Sequence, residues 1–260
     1  MGKTFLKLVL PLLIINLVCI LAFQVNRLDE ISKDSNQISE LEDSRQKLQL
    51  KIRYKLPKLG FSNIVSSWTF LEFLQYFGDY DAREKLGHSL SPYFFNIIVK
   101  GDPRFLTAYP YLSTSISMHA GQPDVAISLM DEGLQSMTPT VPKDSYIVWR
   151  YKGIDELLFA GDGHAAKQSF LIAADWAQHS SHPEAELVVQ SSRQTAQFLE
   201  GNPDSRAAQI NAWSQVLVRA VDDETRRVAV ERIENLGGEV IFSGRGSVEI
   251  RYRIDEESGE

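Results

Sequence analysis

Three glycines, Gly121, Gly161 and Gly201, stand 40 residues apart. Each falls between an apolar-periodic run and a fresh helix-start signal. Self-similarity at a fixed period constrains a fold more than any single motif, because one unit cannot bury its apolar face without the next. The aligned segments are "HAGQPDVAISLMDEGL" from His119, "FAGDGHAAKQSFLIAA" from Phe159 and "LEGNPDSRAAQINAWS" from Leu199. Glycine suits the left-handed position just past a helix end. Pro123 and Pro203 suit a first helical turn, where the missing amide has no partner to lose. Asp162 and Asn202 are N-cap types. The pairs Ser91-Pro92, Asp102-Pro103 and His182-Pro183 carry the same punctuation. The spacing predicts helices over 62–78, 91–100, 103–119, 123–136, 144–160, 164–179, 183–200, 203–220 and 222–236. Short turns between them imply antiparallel neighbours, and the fold class expected is all-α, a solenoid of helix pairs.

Within the repeat, Ala166, Phe170 and Ala173 place a small residue, an aromatic and a second small residue on one helix. Ala126, Met130 and Gly133 repeat the spacing, and Asp102-Pro103 and Thr138-Pro139 supply unit-ending prolines. This pattern resembles the tetratricopeptide repeat superfamily over roughly residues 60–221. The third unit departs, with Arg206 at the small position and Ala207 beside it. Trp149 and Gly153 only partly match the first-helix pattern. The period exceeds the usual spacing of about 34, so "TPR-like" is the fitting description. The resemblance implies a concave face that binds a protein partner. The candidates on the first helices 103–119 and 144–160 are Tyr109, Tyr111, Tyr146, Arg150, Tyr151 and Lys152. The block "LGFSNIVSSWTFLEFLQYFGD" also resembles a segment of membrane-anchored bacterial repeat proteins, many of them cyanobacterial.

Phe5 to Phe23 is apolar apart from Lys7 and Asn16, near the ~20 residues that cross a bilayer. No small-residue cleavage site follows it, and Leu17 and Val18 precede Cys19 where a lipoprotein would carry small residues. The expectation is an uncleaved signal-anchor over 1–25. Lys3 and Lys7 place its start in the cytoplasm and the remainder on the periplasmic or lumenal side, in a bacterial inner membrane or a thylakoid. A charged helical stalk follows over 26–58. Its apolar stripe, Leu28, Ile31, Ile38, Leu41, Leu48 and Ile52, fits either a single amphipathic helix or a coiled coil pairing two copies. The repeats are expected over 59–221, a helix plus β-hairpin over 222–254 and a disordered acidic tail over 255–260.

The densest aromatic stretch, Phe61 to Tyr80, carries Glu72 and several hydroxyl residues, so it is not a second span. One stripe holds Phe61, Ile64, Trp68 and Leu71; another holds Phe70, Phe73, Leu74 and Phe77. Apolar residues on several faces imply a helix buried between neighbours, started by a Ser62 or Asn63 cap. On that reading Trp68→Ala unfolds the first repeat.

Little else looks like chemistry. The net charge of -7 and the lack of a basic run argue against nucleic acid. One cysteine leaves no intramolecular disulfide and no Cys-based zinc site. Asp175, His179 and His182 read as a polar turn, not as metal ligands. "SGRGS" reads as the tip of a hairpin whose second strand alternates Val248, Ile250, Tyr252 and Ile254; Arg245 at the tip is a contact candidate. Asp155–Glu156 and Asp222–Asp223 read as solvated faces and helix caps. With no catalytic motif recognisable, the expectation is a non-enzyme without metal or cofactor: a membrane-tethered scaffold or assembly factor for a membrane-associated protein. The alternative is a sensor or carrier with an aromatic-lined small-molecule pocket.

Overall fold

The computed structural model describes residues 35–202, 204–220, 222–242 and 248–251. The chain divides into two units, Met1–Gln46 and Lys47–Glu260, and the account below concerns the second. The anchor segment Phe5–Phe23, the start of the stalk, the hairpin tip and the acidic tail lie outside the described residues. Among those described, no helix is long and apolar enough to cross a membrane.

The protein is mostly helical, with one small two-stranded antiparallel sheet. The helices are α1 (Ser35–Lys55), α2 (Ser62–Gly78), α3 (Tyr80–Leu86), α4 (Ser91–Gly101), α5 (Ala108–Leu112), α6 (Pro123–Leu134), α7 (Tyr146–Asp155), α8 (Gly163–Ala177), α9 (Ala185–Gly201), α10 (Arg206–Arg219) and α11 (Asp223–Asn235). Two of them run on as π-helix, α5 over Ser113–His119 and α7 over Glu156–Ala160. The strands are β1 (Glu239–Phe242) and β2 (Val248–Arg251). Helix existence and most ends follow the punctuation in the sequence. The short α3, capped by Asp79 and ended by left-handed Gly87, was not among the expected helices, and no capping side chain marks where α5 and α7 pass into π-helix.

Partners identify the helix directions. Ser66 of α2 faces the last residue of α4, Gly101, while Tyr76 near the other end of α2 reaches Leu90 just before α4. The two helices are therefore antiparallel. Ala166 early in α8 clusters with Leu199 late in α9, and Ala177 late in α8 clusters with Val189 early in α9; that pair is antiparallel as well. Gly121 and Gly161 are left-handed, with φ of 63° and 78°, as chain reversal after a helix requires. Gly201 and Gly78 instead close their helices as last helical residues. Pro123 opens α6, and Asp162 caps α8 by accepting from the Ala165 amide at 2.8 Å. Asn202 does not cap the start of α10: it closes α9, its backbone and side-chain amides both donating to the Phe198 carbonyl, and Ser205 precedes α10. Neither Ser62 nor Asn63 caps α2; both already lie inside it, behind Phe61.

The main core joins α2, α4, α5, α6 and α7 through Phe70, Phe73, Phe94, Phe95, Tyr109, Leu112, Met130 and Val148. Leu50 of α1 is buried in it, whereas Leu48 and Ile52 of the expected stalk stripe are exposed. A second cluster gathers Phe159, Trp213, Val216, Ala229 and Ile233, covered by Val240, Val248 and Ile250 of the hairpin. The register pairs Val240 with Ile250 and Phe242 with Val248, so the alternating face packs on α10 and α11 as the period of two required.

One close approach decides a residue choice. Gly133 lies against the Tyr109 ring, whose hydroxyl donates to the Pro103 carbonyl at 2.6 Å. A Cβ at Gly133 would overlap that hydroxyl. Gly133→Ala is expected to cost about 1–3 kcal/mol through overpacking, read as a lowered urea midpoint, and Tyr109→Phe in the same chain should recover part of the loss.

Candidate partner face and a buried histidine–carboxylate cluster

The aromatic helix α2 is buried on one side only. Phe70, Phe73 and Tyr76 are 6%, 0% and 4% exposed, while Phe61, Ile64, Trp68 and Leu71 are 62%, 65%, 61% and 55% exposed. The expectation that Trp68 is interior is therefore corrected. Both stripes are apolar, and α4 covers only the one carrying Phe73. Trp68 is held at the surface by its own helix, its indole N–H donating to Glu72 Oε1 at 2.6 Å. Arg53 of α1 anchors the same carboxylate and reaches Thr69 Oγ1 at 3.3 Å. The exposed stripe thus sits on a backbone fixed by a bidentate ion pair.

The candidates drawn from the first helices are dispersed. Tyr109 and Tyr146 are 1% and 5% exposed, so both are packing residues and not surface contacts. Burial raises both phenols above their ordinary range, Tyr109 most. Tyr111 is partly open but meets Phe70 and Phe73 edge-on. Arg150 donates to Ser191 Oγ at 3.1 Å, and Tyr151 packs on the main core. Lys152 pairs with Glu156 at 2.9 Å and Asp131 at 3.1 Å. Arg245 lies outside the described residues. The aromatic rings of α2 pack on Phe94, Phe95 and Phe105.

Two carboxylates read as solvated are interior: Asp155 is 0% and Glu156 3% exposed. Asp155 accepts from Ser113 and Ser117, each at 2.6 Å. Burial pushes its carboxyl up to about 6, against the two hydroxyls, with the Glu156 charge adding to the rise.

A further group joins three distant segments. His88 lies in the turn between α3 and α4, His119 ends the π segment after α5, and Asp222 precedes α11. One ligating atom from each lies within 4.8 Å of the other two. His88 and Asp222 are 4% and 1% exposed, and His119 is half-buried. The two imidazoles face each other with centroids 4.5 Å apart and planes inclined at 35°, and Phe77 borders both. Asp222 caps α11 as the sequence suggested: Oδ1 accepts the Thr225 amide at 2.6 Å. Its Oδ2, and Nδ1 of both histidines, have no hydrogen-bond partner. Thr225 Oγ1 donates to the His119 carbonyl at 3.0 Å and ties the segments together. Burial holds His88 down to about 3, the neighbouring His119 and Arg83 acting in the same direction. Burial likewise lowers His119, partly offset by Asp222. A neutral imidazole offers one ring nitrogen as an electron-pair donor and keeps its proton on the other. By contrast, His179 and His182 are exposed turn residues bonded to local backbone groups. Separations of 31 and 103 residues hid the interior cluster; only Asp222 carried a signal, and that signal was for a cap.

Comparison of the chain with protein-family models, with curated proteins and with solved structures gave no match in any of the three.

Proposed function

We propose that the protein is a membrane-tethered scaffold that holds a protein partner beside the bilayer, with TPR-like helix pairs as its frame. The observation that carries this reading is the exposed stripe of Phe61, just before α2, and Ile64, Trp68 and Leu71 on it. Contiguous apolar patches are uncommon on monomers and mark contact sites. Covering each side chain would contribute about 1–2 kcal/mol, about 4–8 kcal/mol for the four, which is of the order of the association entropy it offsets. The apolar segment Phe5–Phe23 supports tethering on the periplasmic or lumenal side, where confinement raises the effective concentration of a membrane partner. Exposed Leu48 and Ile52 on α1 support pairing of two copies through the stalk.

The test is a photo-crosslinking amino acid at Ile64 in the full-length chain, in its native membranes, with exposed Gln194 of α9 as the control position. The expected result is a discrete protein adduct from Ile64 that Trp68→Asp abolishes without shifting the thermal midpoint. Equal, diffuse adducts from both positions would reject the scaffold reading.

A further inference from the structure

The geometry points to a metal site: we infer that His88, His119 and Asp222 bind one zinc-class divalent ion that staples α11 to the turn before α4 and to the π segment. This goes beyond the scaffold reading and does not depend on it.

The spacing is the first argument. His88 Nε2 and Asp222 Oδ2 are 3.9 Å apart. That is too long for a hydrogen bond, which spans about 2.7–3.2 Å. It is too short for a bridging water, which at ordinary bond lengths and angle separates its partners by about 4.5 Å. A tetrahedral zinc with bonds near 2.1 Å sets its ligands roughly 3.4 Å apart, so this pair needs to close by only about half an ångström. His119, half-buried at the end of a π segment, supplies the third donor.

Unmet polar capacity is the second argument. Buried polar atoms are almost always hydrogen-bonded. Here Asp222 Oδ2 and His119 Nδ1 are not, and neither is Nδ1 of His88, the other nitrogen of the ring whose Nε2 lies 3.9 Å from Asp222, although Asp222 is oriented by its other oxygen on the Thr225 amide. An oriented carboxylate with one lone oxygen, facing imidazoles, is the arrangement that supports a metal.

The donor set selects the ion. Two imidazole nitrogens and one carboxylate oxygen favour first-row transition ions; magnesium and calcium ask for oxygen ligands. The same three donors also form the iron(II) facial triad, which leaves several positions open. Phe77 against both rings and the near-complete burial of His88 and Asp222 leave little room for those, so a four-coordinate ion, with one water as its fourth ligand, fits. Arg83 is the opposing charge. Its guanidinium bonds the Gly87 carbonyl and lies over the Tyr76 ring, 3.8 Å from the centroid.

The test uses the full-length protein in detergent, purified without a histidine tag and stripped with chelator, then titrated with zinc, magnesium and cobalt(II) chlorides. Saturable zinc binding at one ion per chain is expected, with a raised thermal midpoint that magnesium does not produce. Cobalt should give intense visible bands of a four-coordinate ion. Asp222→Asn keeps a capping oxygen on Thr225 and removes the anionic ligand; it should weaken zinc at least about tenfold, as loss of even a supporting group does, with the apo midpoint little changed. His119→Gln, which leaves the cap untouched, should do the same. No saturable zinc binding, or binding unchanged in both variants, overturns the site. Weak, six-coordinate cobalt bands overturn the zinc assignment.

Discussion

Phe73→Ala is expected to destabilise the protein by about 3–5 kcal/mol, whereas Trp68→Ala, five residues along the same helix, should cost less than about 1 kcal/mol. Phe73 has no exposed surface. Its ring meets Phe70, Tyr76, Phe77, Phe94, Phe95 and Tyr111, the nearest centroid at 4.6 Å. Truncation leaves a cavity that rings on three helices cannot all collapse into, so the cavity adds to the lost transfer energy. Trp68 contributes one hydrogen bond to Glu72 and otherwise faces solvent. Urea unfolding of the two variants beside the wild type measures both. Comparable losses for both would mean that Trp68 is interior and would remove the exposed stripe from which the scaffold proposal starts.

That contrast marks the limit of what the sequence discloses. Gly121, Gly161, Pro123 and Asp162 act within a turn of themselves, through backbone conformation and local hydrogen bonds, so their positions told where helices begin and end. The hairpin was legible for the same reason, since Val248 and Ile250 alternate with Glu249 and Arg251 on two faces of one strand. The rotation of α2 was not, because both of its apolar stripes satisfy the helical period and only α4 decides between them. The interior cluster of His88, His119 and Asp222 depends on three chain segments meeting, which no local spacing encodes. Asp155 and Glu156 were misplaced by the same gap: acidic pairs usually seek water, and here serines of a π segment and Lys152 receive them.

Asp155 carries the second large expectation. Its folded-state carboxyl is raised to about 6 from an ordinary 3.8. A raised folded value means the folded protein holds the proton more tightly than the unfolded chain. The resulting stability is present in full below about pH 4 and is lost as pH rises through about 6. At 1.36 kcal/mol per pKa unit, the buried charge costs up to roughly 3 kcal/mol above neutrality, screened little because Asp155 has no exposed surface. The groups that act on it are Ser113 and Ser117 from the π segment and the neighbouring Glu156, which is itself paired with Lys152. Asp155→Asn keeps the shape, and its amide can accept from one serine hydroxyl and donate to the other. The variant should therefore be more stable than the wild type by roughly 1–3 kcal/mol at pH 8, with the difference shrinking or reversing at pH 5. Urea denaturation of both proteins at the two pH values reads this directly. A difference that does not change with pH would show that Asp155 is ionised at little cost, and that the serine pair offsets its burial.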